Sequence, residues 1–153
     1  MIQKPIAKSV IAAVVVAGIL TLCLVATKPL VNQAFAKTSC EVRISAWGPR
    51  GGGIEPVAKG ATTPVLIVTA LSCPAGNPAG GKSGATIIVS GEGGDLKNSI
   101  SKTVTTDYKG LNEDATFDLG PSSSPYGFKA NYAGDSEHDA ATATTGFFID
   151  EKK

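Results

Sequence analysis

The sequence predicts an all-β fold, an antiparallel two-sheet sandwich of about seven strands, preceded by one amino-terminal hydrophobic helix. Three observations predict it. Apolar and polar residues alternate with period two over most of the chain after Lys37, the spacing of a half-buried strand. The chain's 18 glycines and 9 prolines fall largely between these runs, as turns between short strands require. No convincing amphipathic helix follows Ala36, and the long unbroken apolar run, VIAAVVVAGILTLCLVA, is confined to Val10–Ala26.

Lys4 and Lys8 precede that run, and Lys28 and Pro29 end it. Its length is at the lower limit for a membrane-spanning helix and slightly long for the apolar part of a signal peptide. Ala34-Phe35-Ala36 offers a small-x-small cleavage site. Residues 1–36 therefore read either as a secretory signal cut after Ala36 or as an uncleaved anchor. In both cases the positive flank stays in the cytoplasm and the remainder is exported. Cys23 does not suit lipidation, because Leu22 stands where a small residue is needed and apolar residues continue beyond it. Residues 37–150 read as one domain, and 151–153 as a charged tail.

Within the domain, Cys40, Val42, Ile44 and Ala46 alternate with Glu41, Arg43 and Ser45 to make a first strand. Trp47 falls in the outward phase before the breaker Gly48-Pro49-Arg50-Gly51-Gly52-Gly53, where its indole could stack on a sugar or a partner or fold back over the sheet edge. Val65-Leu66-Ile67-Val68 and Ala70-Leu71 are nearly continuous apolar positions, as in a central strand. Ala85, Ile87 and Val89 supply the next core face. Ile100 and Val104 flank an inward-phase Lys102, a device that protects an edge strand from pairing with another chain. Ala115, Phe117 and Leu119 follow.

The last stretch is YGFKANYAGDSEHDAATATTGFF, Tyr126–Phe148. Tyr126, Phe128, Ala130 and Tyr132 share one face; Gly134-Asp135 reverses the chain; Ala141, Ala143, Thr145, Phe147 and Ile149 alternate again. The run Tyr126-x-x-x-Ala130-x-Tyr132-x-Gly134-Asp135, with Ala115-Thr116-Phe117-Asp118-Leu119 upstream, resembles the closing strands of bacterial Ig-like repeat domains. The likeness covers roughly residues 84–149, and His138 departs from it by standing where an aromatic or apolar residue is usual. The resemblance implies an Ig-like β-sandwich in a secreted or surface protein, an adhesive or spacer module, and no enzyme activity. An antibody-type domain is excluded, because its two cysteines would lie on the second and sixth strands.

All 13 acidic residues lie after Ala36, whereas Lys4, Lys8 and Lys28 of the 14 basic residues lie before it. The exported part is therefore weakly acidic, without a basic block, and nucleic acid is not an expected partner. Its two cysteines, Cys40 and Cys73, predict one disulfide in an oxidising compartment, with two reduced thiols as the alternative. Gly76-Asn77-Pro78-Ala79-Gly80-Gly81-Lys82-Ser83 fits the phosphate-loop pattern, but that mechanism needs a helix after Lys-Ser. A β-run follows instead, so neither a nucleotide nor any other cofactor is expected. Asp135, Glu137 and Asp139 alternate as oxygen ligands that could hold calcium, but EF-hand spacing fails because Ala140 and Gly146 occupy the glycine and glutamate positions. With one histidine and no G-x-S-x-G, catalysis has no support.

The sequence thus predicts a non-catalytic, secreted or membrane-anchored module for adhesion, ligand binding or envelope structure. Its partners would be an extracellular or cell-surface protein or glycan, met through segments 48–53, 74–84 and 133–140 at one end, with Trp47 as a contact. The membrane is a further partner if the helix is uncleaved. The alternative is a pilin-like filament subunit processed near Lys8-Ser9 and assembled through the same helix.

Overall fold

A computed structural model describes residues 36–153; the expectations for the amino-terminal helix, its cleavage and Cys23 lie outside them. Eight strands form two sheets. They are β1 (Glu41–Trp47), β2 (Ile54–Ala58), β3 (Thr63–Ser72), β4 (Thr86–Gly93), β5 (Ile100–Thr105), β6 (Leu111–Leu119), β7 (Tyr126–Tyr132) and β8 (Ala141–Lys152). One sheet has the order β1-β3-β6 and the other β2-β8-β7-β4-β5. All pairings are antiparallel except β2 with β8. The result is a β-sandwich-like, all-β fold, and among the described residues no helix is long and apolar enough to cross a membrane.

Side-chain alternation builds the core. Val65, Ile67 and Leu71 of β3 face Ile87 and Val89 of β4 and Tyr126, Phe128 and Ala130 of β7, all nearly inaccessible to water. Lys129 stays exposed on the other face, as the alternation predicts. Phe117 and Phe128 pack across the two sheets with ring centroids 5.7 Å apart, a favourable tilted contact. At the open edge of the larger sheet, Lys102 of β5 stands opposite Val89 and holds its Nζ 5.4 Å from the Phe117 ring centroid. It closes the edge with a cation–π contact while guarding the strand.

Two details differ from the sequence reading, and a third is a β-bulge that the local pattern does not show. Among the described residues there are eight strands, because Ile54–Ala58 pairs with the end of β8. Its pattern hid it: the buried residues are Glu55 and Val57, Ile54 is 68% exposed, and Pro56 interrupts it, as an edge strand permits. The same pairing places Glu151 and Lys152 opposite Val57 and Ala58, so they extend a strand instead of forming a tail. Third, the β3–β6 register shifts between Ile67 and Thr69, which face Ala115 and Asn112. Glu113 and Asp114 fall in this bulge and are both exposed, where a regular strand would have turned them to opposite faces.

Candidate functional site

The strand directions gather loops 73–85, 106–110 and 133–140 at the end where β1 begins. The expected disulfide lies there. Cys40 and Cys73 are bonded with Cα atoms 4.5 Å apart, and they extend the register in which Glu41 faces Ser72. That spacing is the one found between facing residues of a non-hydrogen-bonded antiparallel pair. The bridge therefore staples two neighbours of one sheet and does not tie the two sheets together.

Segment 48–53 does not belong to this end. β1 and β2 both run away from it, one in each sheet, and the glycine-rich segment is the crossover between them. Gly48 and Gly51 exchange backbone hydrogen bonds of 2.8 and 3.0 Å. A Cβ on Gly48 would fall 2.7 Å from Oε2 of the buried Glu55, so the crossover needs glycine there to admit that carboxylate. Trp47 points outward as predicted. It is 48% exposed, its indole N–H donates to Ser45 Oγ at 2.9 Å, and its ring lies over Gly52.

Asp135 organises the loop end. Its Oδ1 accepts the backbone N–H groups of Glu137 and His138, both at 2.9 Å, and the His138 Nδ1–H at 2.7 Å. A carboxylate only accepts, so a proton on Nδ1 serves this contact, while Lys82 Nζ lies 3.2 Å from the same nitrogen. Oδ2 accepts the Tyr132 hydroxyl at 2.9 Å and pairs with Lys82 Nζ at 3.0 Å. Bonds to the Glu137 N–H, to His138 and to Lys82 hold the Asp135 carboxyl far below the usual carboxylate range. Burial, and then donation to Asp135, push the Tyr132 phenol up to about 12.

The chain before β1 is tied to the same turn. Thr38 N–H donates to Glu137 O at 2.8 Å, Asp139 N–H donates to Thr38 O at 2.9 Å, and Lys37 Nζ reaches Asp135 O at 2.7 Å. The three calcium candidates are thus placed apart in role: Asp135 spends both oxygens on protein donors, while Glu137 and Asp139 are exposed. Among the described residues no three His, Cys, Asp or Glu side chains converge on a point that could hold a metal.

The phosphate-loop match lies in loop 73–85, with β4 following it and no helix. Its lysine is the Lys82 that pairs with Asp135. Gly81 pairs with Ser72 and lies so close to the backbone of Lys109 that a Cβ would overlap its carbonyl. That contact fuses loops 73–85 and 106–110, with Leu71 N–H donating to Gly110 O at 2.8 Å beside it. Between Lys82, Thr86, Ile88, Asn131 and Asp135 lies a shallow cavity of about 320 Å³, whose wall includes the 45%-exposed Ile88.

The sequence reading missed the Lys82–Asp135 pair, the Thr38 strap and the Tyr126 hydroxyl, which donates to Gly120 O at 2.8 Å. Only the tyrosine left a local signal, an aromatic opening a strand just after a Gly-Pro turn. No protein-family model, characterised protein or solved structure matches the chain.

Proposed function

We propose that this chain carries an Ig-like, non-catalytic module that works outside the cytoplasm, secreted or membrane-anchored, as a surface binding or structural unit. The strand connectivity supports the fold assignment. The first strand line divides between the two sheets, and the tyrosine opening β7 bonds back to the backbone six residues upstream, a corner known from Ig-type sandwiches. The observation that carries the functional reading is the loop end itself. Its charges are tied to one another through Lys82, Asp135 and His138, and a disulfide anchors it. That is a rigid surface for recognition, in a domain suited to an oxidising compartment.

Two loop groups, 74–84 and 133–140, supply the recognition surface, with Ile88 as its apolar contact. The partner class is an extracellular protein or glycan.

The test is mass spectrometry of the native amino terminus, joined to non-reduced peptide mapping and protease treatment of intact cells. A start at Lys37 supports secretion, retention of Met1 an anchor, and a start near Ser9 or Val10 the pilin-like alternative. Free thiols at both Cys40 and Cys73, in a protein that external protease cannot reach, would refute the export reading. Binding to surface proteins and glycans that Ile88→Lys does not weaken would refute the assigned surface.

A further inference from the structure

β3 reads TPVLIVTALS and is apolar on both sides. Val65, Ile67 and Leu71 enter the core, whereas Leu66, Val68 and Ala70 face outward, half-buried and not packed against the core cluster. Continuous apolar strands normally belong to sheets covered on both faces. Register sets the neighbours of this stripe. Trp47 stands beside Leu66, Ser45 beside Val68 and Arg43 beside Ala70 on one flank; Thr116 stands beside Leu66 and Asp118 beside Pro64 on the other. Near Ala70 the face sinks into a hollow of about 350 Å³ lined by Arg43, Ala70, Pro78, Ala79, Lys109 and Leu111.

The exposed indole and the hollow lie on opposite sides of the Ser45–Val68 row, each two residues from it, or about 7 Å along the strand. We infer that the outer face of the β1-β3-β6 sheet binds a second copy of the same chain, each Trp47 seating in the other's hollow. A two-fold axis lying in the interface and crossing the strands at Val68 performs the exchange. It lays Leu66 over Ala70, Trp47 over Arg43 and Asp118 toward Lys109, so knob meets hole and anion meets cation twice. A self-complementary patch of this kind is what a closed two-fold contact requires. Arg43 keeps its ion pair with Glu41 at 2.9 Å and presents its guanidinium plane to the indole. Tryptophan and arginine are the residue types that anchor such contacts. The three-stranded strip measures about 14 by 23 Å from strand spacing and rise, about 320 Å² on each copy, which is less than a stable, permanent interface buries. The association is therefore reversible and concentration-dependent.

The chain has one tryptophan, which makes it the reporter. For the full chain in detergent micelles, Trp47 emission should shift to the blue as protein concentration rises. In a Cys23→Ser background, Val68→Cys should cross-link to itself under mild oxidation, while Thr86→Cys on the other sheet should not. Trp47→Ala should weaken the dimer at least about 30-fold and leave the thermal midpoint within a few degrees of wild type, since nearly half of the residue is already exposed. Emission independent of concentration, with no more cross-linking at position 68 than at 86, would overturn the inference. So would a dimer that Trp47→Ala leaves intact, which would place the association elsewhere in the chain.

Discussion

Removing one hydroxyl tests the fold most sharply. Tyr126 is 2% exposed, and its O–H donates to Gly120 O at 2.8 Å. Tyr126→Phe keeps the ring and its packing, so no cavity larger than an oxygen atom appears. What is lost is one neutral hydrogen bond, about 1 kcal/mol net. Gly120 is half-buried, so water reaches its carbonyl only in part, which raises the expected loss to about 1–1.5 kcal/mol. For a domain of this size that lowers the thermal midpoint by about 4–6 °C. Tyr108 provides the control, being 77% exposed, and Tyr108→Phe should change stability by less than about 0.5 kcal/mol. Chemical denaturation followed by circular dichroism measures both. Equal losses for the two variants, or none for Tyr126→Phe, would refute the claim that this hydroxyl ties the β6–β7 connection to the core.

Replacing Cys40 and Cys73 together by alanine should cost roughly 3–4 kcal/mol, the entropy regained by an open loop of about 34 residues; a loss below about 1 kcal/mol in equilibrium denaturation would show that the bridge is dispensable. Asp135 has its folded pKa lowered by the Glu137 N–H, His138 and Lys82, so it stabilises the fold above the ordinary carboxylate range and loses that effect as pH falls below about 4 toward the folded value. Asp135→Asn should therefore flatten the acid limb of stability against pH, and an unchanged limb would count against the hub. Tyr132 has its pKa raised to about 12, so its contribution is whole below about 10 and fades as pH climbs toward 12; ultraviolet titration should find a late-ionising phenol that Tyr132→Phe removes. Gly81→Ala should cost about 1–3 kcal/mol, because its Cβ would meet the Lys109 carbonyl, whereas Gly127→Ala, whose nearest contact is 3.8 Å away, should be near neutral in the same melts.

Wherever a strand's partners lie in the core, local alternation was enough to assign its faces. Phe128 and Ala130 went inward and Lys129 outward; Trp47 kept its outward phase; Lys102 turned out to be an edge residue. The even cysteine count likewise anticipated the bridge. The loop end was less legible. The phosphate-loop pattern and the acidic turn looked like two unrelated motifs, and neither contained a hint that Lys82 pairs with Asp135 across more than fifty residues of chain.

The amino-acid order by itself determined which side chains enter the core, that the fold is all-β, and that Cys40 and Cys73 could join. Those properties depend on a period-two pattern and on residue chemistry, both carried by near neighbours in the chain. Tertiary structure alone decided that Ile54–Ala58 is a strand, that Gly48–Gly53 is a crossover, and that Asp135 is spent on five internal donors. A parallel pairing with β8, a buried Glu55 and an ion pair between distant loops arise only when the closed sandwich brings remote backbone and charge together, and no window of sequence contains both partners.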